Sequence, residues 1–250
     1  MPELANAQDR LPKDRLIVAL DVPGSAAALR IADQLQGTVQ WLKVGLELYV
    51  AEGRGIVDQL LTHGFSVFLD LKLHDIPNTV AAAVRSAATS GASMLTVHTL
   101  GGPAMLAAAT DAAVSVPNGP RLLGVTVLTS MDSGQLAAIG IANSPAAQVE
   151  RLARMAVDAG LTGLVCSPQE AQALRRILSR DIALVTPGIR PAGAAAHDQQ
   201  RIATPSAAIL AGADYLVIGR PITGAKDPAT AAQAILEEMA AAEETASTVQ

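Results

Sequence analysis

Between Asp70 and Asp75 the chain sets two carboxylates and one ammonium within six residues, Asp70-Leu71-Lys72-Leu73-His74-Asp75, directly after the apolar run Phe65-Ser66-Val67-Phe68-Leu69. If Phe65 to Lys72 is a strand, Asp70 and Lys72 share a face, because strand side chains alternate. Pro77 excludes the helical region for Ile76 and forces an extended step there. It also suits the first turn of a helix built from Asn78-Thr79-Val80-Ala81-Ala82-Ala83-Val84. The charges therefore sit where a strand hands over to a helix. A lysine among carboxylates is a proton donor that carries a full positive charge, suited to acid–base work and to stabilising negative charge. Buried ion pairs at best roughly break even in stability, so such crowding points to chemistry.

The elements that must position this group are legible as eight short apolar runs: Leu16–Leu20, Trp41–Val44, Ser66–Leu69, Met94–Val97, Leu122–Leu128, Gly163–Cys166, Ile182–Val185 and Tyr215–Ile218. Several are rich in Val, Ile and Leu without strict alternation, as parallel strands covered on both faces are. Between them lie segments of helical character, including Ala26–Leu35, Ile56–His63, Val80–Ser90, Ala146–Ala159 and Glu170–Ser179. Gly64, Gly91, Gly160 and Gly212 follow helical segments, where a left-handed cap is wanted. Strand–helix alternation repeated eight times in 250 residues predicts an α/β fold, a single-domain (β/α)8 TIM barrel. Its expected bounds are residues 15–235, with an N-terminal tail over 1–14 and a fraying helix end over 236–250. An open doubly wound sheet is the alternative. It lacks support because Asp21-Val22-Pro23-Gly24-Ser25, rather than a Gly-x-Gly-x-x-Gly turn, follows the first strand.

In such a barrel the chemistry lies at the C-terminal ends of the strands. Just past the runs stand Asp21, Lys43, Asp70 with Lys72, His98, Thr129, Ser167, Pro187-Gly188 and Gly219-Arg220. Each has a bland reading. Asp21 could simply start a turn, and Lys43 could be a surface lysine, although its apolar run favours burial beside a carboxylate. His74 could face solvent. His98 reads as a hydrogen-bonded core or rim histidine rather than a catalyst, and Cys166 as a small buried hydrophobe. Arg121 and Asp132 read as solvated charges. The coincidence of so many polar strand ends outweighs any single member. Gly219-Arg220 after the eighth strand matches a backbone-and-arginine anion grip. Thr186-Pro187-Gly188-Ile189-Arg190-Pro191 opens a long segment of small residues, Ala192 to Arg201, that reads as a mobile lid. Together these features imply a phosphorylated small molecule held at one end while Asp70, Lys72 and Asp75 act at the other.

Composition narrows the partners. The net charge is −5 with no basic block, and aromatics are 2%, so nucleic acid and anionic membrane are poor ligands. The stretch 86–110 carries no charged residue, but Gly101-Gly102, Pro103 and His98 make it a buried strand plus helix rather than a membrane span. The single Cys166 excludes an intramolecular disulfide and fits a reducing cytoplasm, and no secretory signal is visible.

Asp70-x-Lys72-x-x-Asp75-Ile76-Pro77-Asn78-Thr79, Leu20-Asp21, Leu42-Lys43-Val44-Gly45, Val125-Thr126-Val127-Leu128-Thr129-Ser130, Thr186-Pro187-Gly188-Ile189-Arg190 and Val217-Ile218-Gly219-Arg220-Pro221-Ile222 resemble, in order, the bacterial orotidine 5′-phosphate decarboxylase family. The resemblance implies decarboxylation of orotidine 5′-monophosphate to uridine 5′-monophosphate, with no metal or organic cofactor. It implies that Lys72 protonates C6 of the pyrimidine, flanked by Asp70 and Asp75. Asp75, Ile76 and Thr79 would be supplied across a homodimer interface to the neighbouring site. Asp21 and Lys43 would hold the ribose hydroxyls and link to Asp70. Thr129 would contact the pyrimidine, and Gln199, Arg220 and backbone near Gly219 the phosphate. Pro187 and Arg190 complete the implied substrate-binding set, Arg190 standing at the base of the closing loop.

Two other readings compete. A sugar-phosphate decarboxylase or aldolase of the same superfamily would share Asp-x-Lys-x-x-Asp, but would hold magnesium partly through a carboxylate at the second strand end. Lys43 stands there and replaces the cation. A phosphate-ligand sensor could keep Gly219-Arg220 but would have no need for Lys72.

Overall fold

The computed structural model of the chain describes residues 11–191 and 203–248. Eight parallel strands follow one another around a closed barrel in chain order: β1 (Leu16–Ala19), β2 (Trp41–Val44), β3 (Ser66–Leu73), β4 (Met94–His98), β5 (Arg121–Val125), β6 (Gly163–Val165), β7 (Ala183–Thr186) and β8 (Tyr215–Ile218). The barrel closes by pairing Leu16, Ile17 and Val18 with Leu216, Val217 and Ile218. Every expected run forms a strand. The fifth stops at Val125 rather than Leu128, because its neighbour β6 offers no paired residue beyond Val165. The third is longer than its apolar run and continues through the charged residues to Leu73.

The helices are α1 (Ser25–Leu35), α2 (Leu46–Glu52), α3 (Arg54–Thr62), α4 (Pro77–Ala88), α5 (Gly102–Val114), α6 (Ser133–Ala138), α7 (Pro145–Asp158), α8 (Pro168–Ile177), α9 (Pro205–Leu210), α10 (Arg220–Thr223) and α11 (Pro228–Thr248). Proline opens α4, α7, α8, α9 and α11, where its missing N–H would be unsatisfied in any case. The four expected glycine caps all adopt positive φ. A further break falls at Gly53, whose φ of 61° and ψ of −148° separate α2 from α3 in a geometry that disfavours a side chain. Asp132 is more than a solvated charge: it caps α6, accepting the Gln135 N–H at 2.9 Å while the Gln135 side chain returns to its own N–H.

Strand alternation divides the core in two. Ile17, Ala19, Trp41, Phe68, Met94, Leu123, Ala183, Val185, Tyr215 and Val217 pack together inside the barrel, with Trp41 and Tyr215 meeting edge to face at 5.8 Å. The opposite parity, such as Leu16, Val18, Leu42, Leu69, Leu95, Leu216 and Ile218, packs outward against the helices. Following the inward parity toward the strand ends leads to Asp21 after Ala19, Lys43 after Trp41, Asp70 after Phe68, Thr96 after Met94, Pro187 after Val185 and Gly219 after Val217. The polar residues are the upper layer of the barrel interior, set there by the pleat.

The other end of the barrel is structural. Arg15 donates to the backbone carbonyls of Asp214 and Ala213 and pairs with Glu243 on α11. Buried Asp214 takes Arg175 at 2.5 Å and the Leu184 N–H at 2.7 Å. The last helix, α11, packs on the barrel through buried Ile235, Leu236, Met239 and Ala242. Among the described residues no helix is long and apolar enough to cross a membrane.

Candidate active site

Four charges from three strand ends form an alternating chain. The Lys43 ammonium lies 2.9 Å from Asp21 Oδ1 and 3.5 Å from Asp70 Oδ2. The other Asp70 oxygen, Oδ1, accepts from Lys72 Nζ at 2.8 Å. Lys43 is nine-tenths buried despite its charge, which two carboxylates make tolerable. Burial pushes the Asp70 carboxyl up, but the charges of Lys43 and Lys72, with hydrogen bonds from Lys72 and Thr96, outweigh it and hold the carboxyl below its usual range. Gly45 makes the Asp21–Lys43 contact possible: a Cβ there would stand 2.8 Å from Lys43 Nζ and 3.0 Å from Asp21 Oδ1.

Asp70 and Lys72 do meet, but not through a regular pleat. Leu69 pairs with Leu95 and Leu73 with Val97, so four steps along β3 match two along β4. Lys72 absorbs the excess with a φ of 52°, a left-handed conformation that costs a residue with a side chain about 1–3 kcal/mol. The buried hydroxyl of Thr96 takes the displaced Lys72 N–H at 2.8 Å and donates to Asp70 Oδ1 at 3.0 Å.

The chain of charges borders a cavity of about 470 Å³ at the C-terminal mouth of the barrel. Asp21, Lys43, Asp70, Lys72, Thr129, Pro187, Arg190, Gly219 and Arg220, all expected site residues, line it. Arg190 is buried, and its base is pinned: its N–H donates to the Ala203 carbonyl at 2.9 Å, while the Ala203 N–H donates to Gly188 at 3.2 Å. The two ends of the long segment are thus tied together. Gln199, and the lid expected over Ala192 to Arg201, lie outside the described residues.

Asp75, Ile76 and Thr79 are not brought to the cavity by this chain. They are exposed at the start of α4, with Ile76 67% accessible, and the Asp75 carboxylate accepts the Ile76 N–H at 2.6 Å. Among the described residues no ion pair joins Asp75 to Lys72. His98 behaves as a rim residue: its ring stacks on His74 at 5.4 Å and its Nδ1 accepts the Leu100 N–H at 3.4 Å. Burial, then His74 and Lys72, push His98 down to about 4, so it is neutral at pH 7. Burial pushes the Cys166 thiol up to about 12, and it serves as an inert wall of the cavity.

A family model described as orotidine 5′-phosphate decarboxylase / HUMPS family matches residues 14–235. The chain belongs to this family. It is 52% identical to the orotidine 5′-phosphate decarboxylase of Nitrosococcus oceani, over 92% of this chain and 99% of that one. It is 54% identical to the protein of the same name from Halorhodospira halophila, over 91% and 97%. The crystal structure of orotidine 5′-phosphate decarboxylase from Lactobacillus acidophilus superposes with a TM-score of 0.81 at 39% identity, covering 90% of this chain and 99% of that one.

Within this family frame, sequence reading overlooked Thr96 and the apolar cavity residues Phe68, Val125, Val165 and Val217. The apolar ones were available from parity alone, since each continues an inward row. Thr96 carried only a faint signal, a hydroxyl inside the buried run Met94–Val97.

Proposed function

We propose that Lys72 is the proton donor in the decarboxylation of orotidine 5′-monophosphate to uridine 5′-monophosphate, the reaction of pyrimidine synthesis that the family and the relatives support. The observation that carries the reading is the unbroken alternation Asp21–Lys43–Asp70–Lys72 bordering the cavity.

Loss of carbon dioxide from a vinylic ring carbon leaves a carbanion with no adjacent carbonyl to accept its electrons. An ammonium held beside that carbon stabilises the developing charge and then protonates it. Asp70 holds the ammonium by a direct contact. At an effective dielectric of ~20, opposite charges ~4 Å apart attract by about 4 kcal/mol before desolvation, enough to restrict where the ammonium sits. Charges held by one another in this way need little reorganisation at the moment of reaction. Arg220 and the backbone near Gly219 grip the phosphate, Asp21 and Lys43 hold the ribose hydroxyls, and Thr129 contacts the pyrimidine. Binding at the phosphate, remote from the reacting carbon, can then be used to close the site around it. Lys43 stands where a magnesium-dependent relative would need a carboxylate, so its ammonium supports a metal-free site over the sugar-phosphate alternative.

The exposure of Asp75, Ile76 and Thr79 supports a homodimer in which they complete the site of a second copy of the chain. In that assembly Asp75 would flank Lys72 from across the interface.

The test follows loss of orotidine 5′-monophosphate by absorbance, with chelator present. Wild type remains active, and Lys72→Ala loses nearly all turnover while still binding nucleotide. Mixing Lys72→Ala with Asp75→Ala chains restores part of the activity, because some mixed dimers hold one intact site. Dependence on magnesium, or full turnover by Lys72→Ala, would overturn the mechanism; absence of recovery in mixtures would overturn the shared site.

A further inference from the structure

The left-handed Lys72 needs something to hold it, and one side chain is placed to do so. Thr96 sits on β4 between Leu95 and Val97, the two residues whose pairings with Leu69 and Leu73 bracket the two-residue excess of β3. It is fully buried and belongs to the inward row above Met94. Its hydroxyl accepts the Lys72 backbone N–H at 2.8 Å. The same hydroxyl lies 3.0 Å from Asp70 Oδ1, the oxygen that also accepts from Lys72 Nζ. The roles are fixed by chemistry: the amide can only donate and the ionised carboxylate can only accept, so the single hydroxyl proton goes to Asp70.

One oxygen atom thus ties the backbone of Lys72 to the carboxylate that holds its side chain. Nothing equivalent comes from the ladder, because residues 70–72 fall between the last regular pair and the next. We propose that Thr96 is a positioning residue for the decarboxylation: its hydroxyl locks the left-handed backbone at Lys72 and orients Asp70, and so sets where the ammonium meets the reacting carbon. The inference rests on Lys72 being the proton donor. Thr96 bonds directly to the Lys72 backbone and to Asp70 and reaches Lys43 only through Asp70, so it acts more on turnover than on substrate affinity.

The experiment compares two hydroxyl-free variants, Thr96→Val and Thr96→Ala, with hydroxyl-bearing Thr96→Ser, beside wild type and Lys72→Ala. Steady-state kcat and KM for orotidine 5′-monophosphate are measured, with thermal melts to count folded enzyme. Misplacing a reacting group by about 1 Å can cost on the order of 100-fold. We expect Thr96→Val and Thr96→Ala to lose roughly 10- to 100-fold in kcat with KM within about threefold. Thr96→Ser should return to within about fivefold of wild type although it lacks the methyl group, because the hydroxyl remains. Testing two hydroxyl-free side chains of different volume keeps the comparison alive if one fails to fold. Wild-type kcat in either, or Thr96→Ser no more active than Thr96→Val, overturns the proposal even when Lys72→Ala is inactive. Full activity of Lys72→Ala instead removes the proton-donor reading, and this proposal with it.

Discussion

Gly45→Ala should impair the enzyme without unfolding it. The backbone at Gly45, with φ −93° and ψ −175°, is extended and accepts a side chain without strain. The added Cβ would stand 2.8 Å from Lys43 Nζ and 3.0 Å from Asp21 Oδ1, whereas ordinary contact begins at 3.4 Å. The ammonium must therefore retreat by about 0.6 Å and the carboxylate oxygen by about 0.4 Å, from a hydrogen bond of 2.9 Å. Asp21 is more than half exposed and can swing away, but Lys43 is buried, with Asp70 3.5 Å beyond it. The pair is pushed out of its 2.9 Å geometry. A hydrogen bond between charged groups is worth at most about 1.5–3 kcal/mol and less where one partner is exposed, so kcat/KM should fall by roughly 3- to 30-fold if the pair holds substrate. Gly45 also precedes α2 as its N-cap, where exchanging glycine for alanine costs on the order of 1 kcal/mol or less. At about 2–4 °C of Tm per kcal/mol for a chain of this size, the melt should move by only a few degrees. Steady-state kinetics on orotidine 5′-monophosphate and a thermal melt test both halves. A variant within twofold of wild-type kcat/KM would refute the claim that the Asp21–Lys43 contact matters, and a loss of more than about 10 °C would refute the claim that Gly45 is tuned for the site rather than the fold.

Three other outcomes follow from the same geometry. Arg220→Ala should weaken binding of uridine 5′-monophosphate by roughly 10- to 100-fold while leaving uridine unaffected, as titration calorimetry would show; equal losses would remove the phosphate assignment. His98 is pushed down to about 4 by burial, His74 and Lys72. Below its unfolded value of about 6.5 the unfolded chain takes up the proton first, so this contribution to stability is full above that pH and is lost as pH falls toward the folded value. His98→Gln should flatten the decline of Tm across that window, and parallel declines would contradict the assignment. Arg175→Met leaves the buried Asp214 carboxylate without its 2.5 Å partner. It should cost about 3–5 kcal/mol, a fall of roughly 6–20 °C in Tm, with the KM of the folded enzyme unchanged because the pair lies at the opposite end of the barrel.

Much of the fold was legible because its signals are local. Parallel strands buried on both faces read as uninterrupted Val, Ile and Leu runs, and all eight appeared where such runs stand. Lys43 stood out for the same reason: an ammonium inside the apolar run Trp41–Val44 favours burial beside a carboxylate over exposure, and the fold gives it two. The capping box at Asp132 and Gln135 is also written locally, as an aspartate three residues before a glutamine, although Asp132 alone reads as a solvated charge.

Residue type and the eightfold alternation of apolar runs with helical segments, by themselves, determined the barrel and the polar layer at its strand ends, because each run and each helix is written locally. They also marked Asp70, Lys72 and Asp75 as one group, of which the fold of this chain brings Asp70 and Lys72 to the cavity and leaves Asp75 exposed. Only the tertiary structure decided how Asp70 and Lys72 are held. The bend at Lys72 arises because β3 spends four steps where β4 spends two, a mismatch that exists only when the strands are side by side. Thr96 matters for the same reason: its hydroxyl is one more buried polar atom until the neighbouring strand sets Asp70 and the Lys72 amide on either side of it.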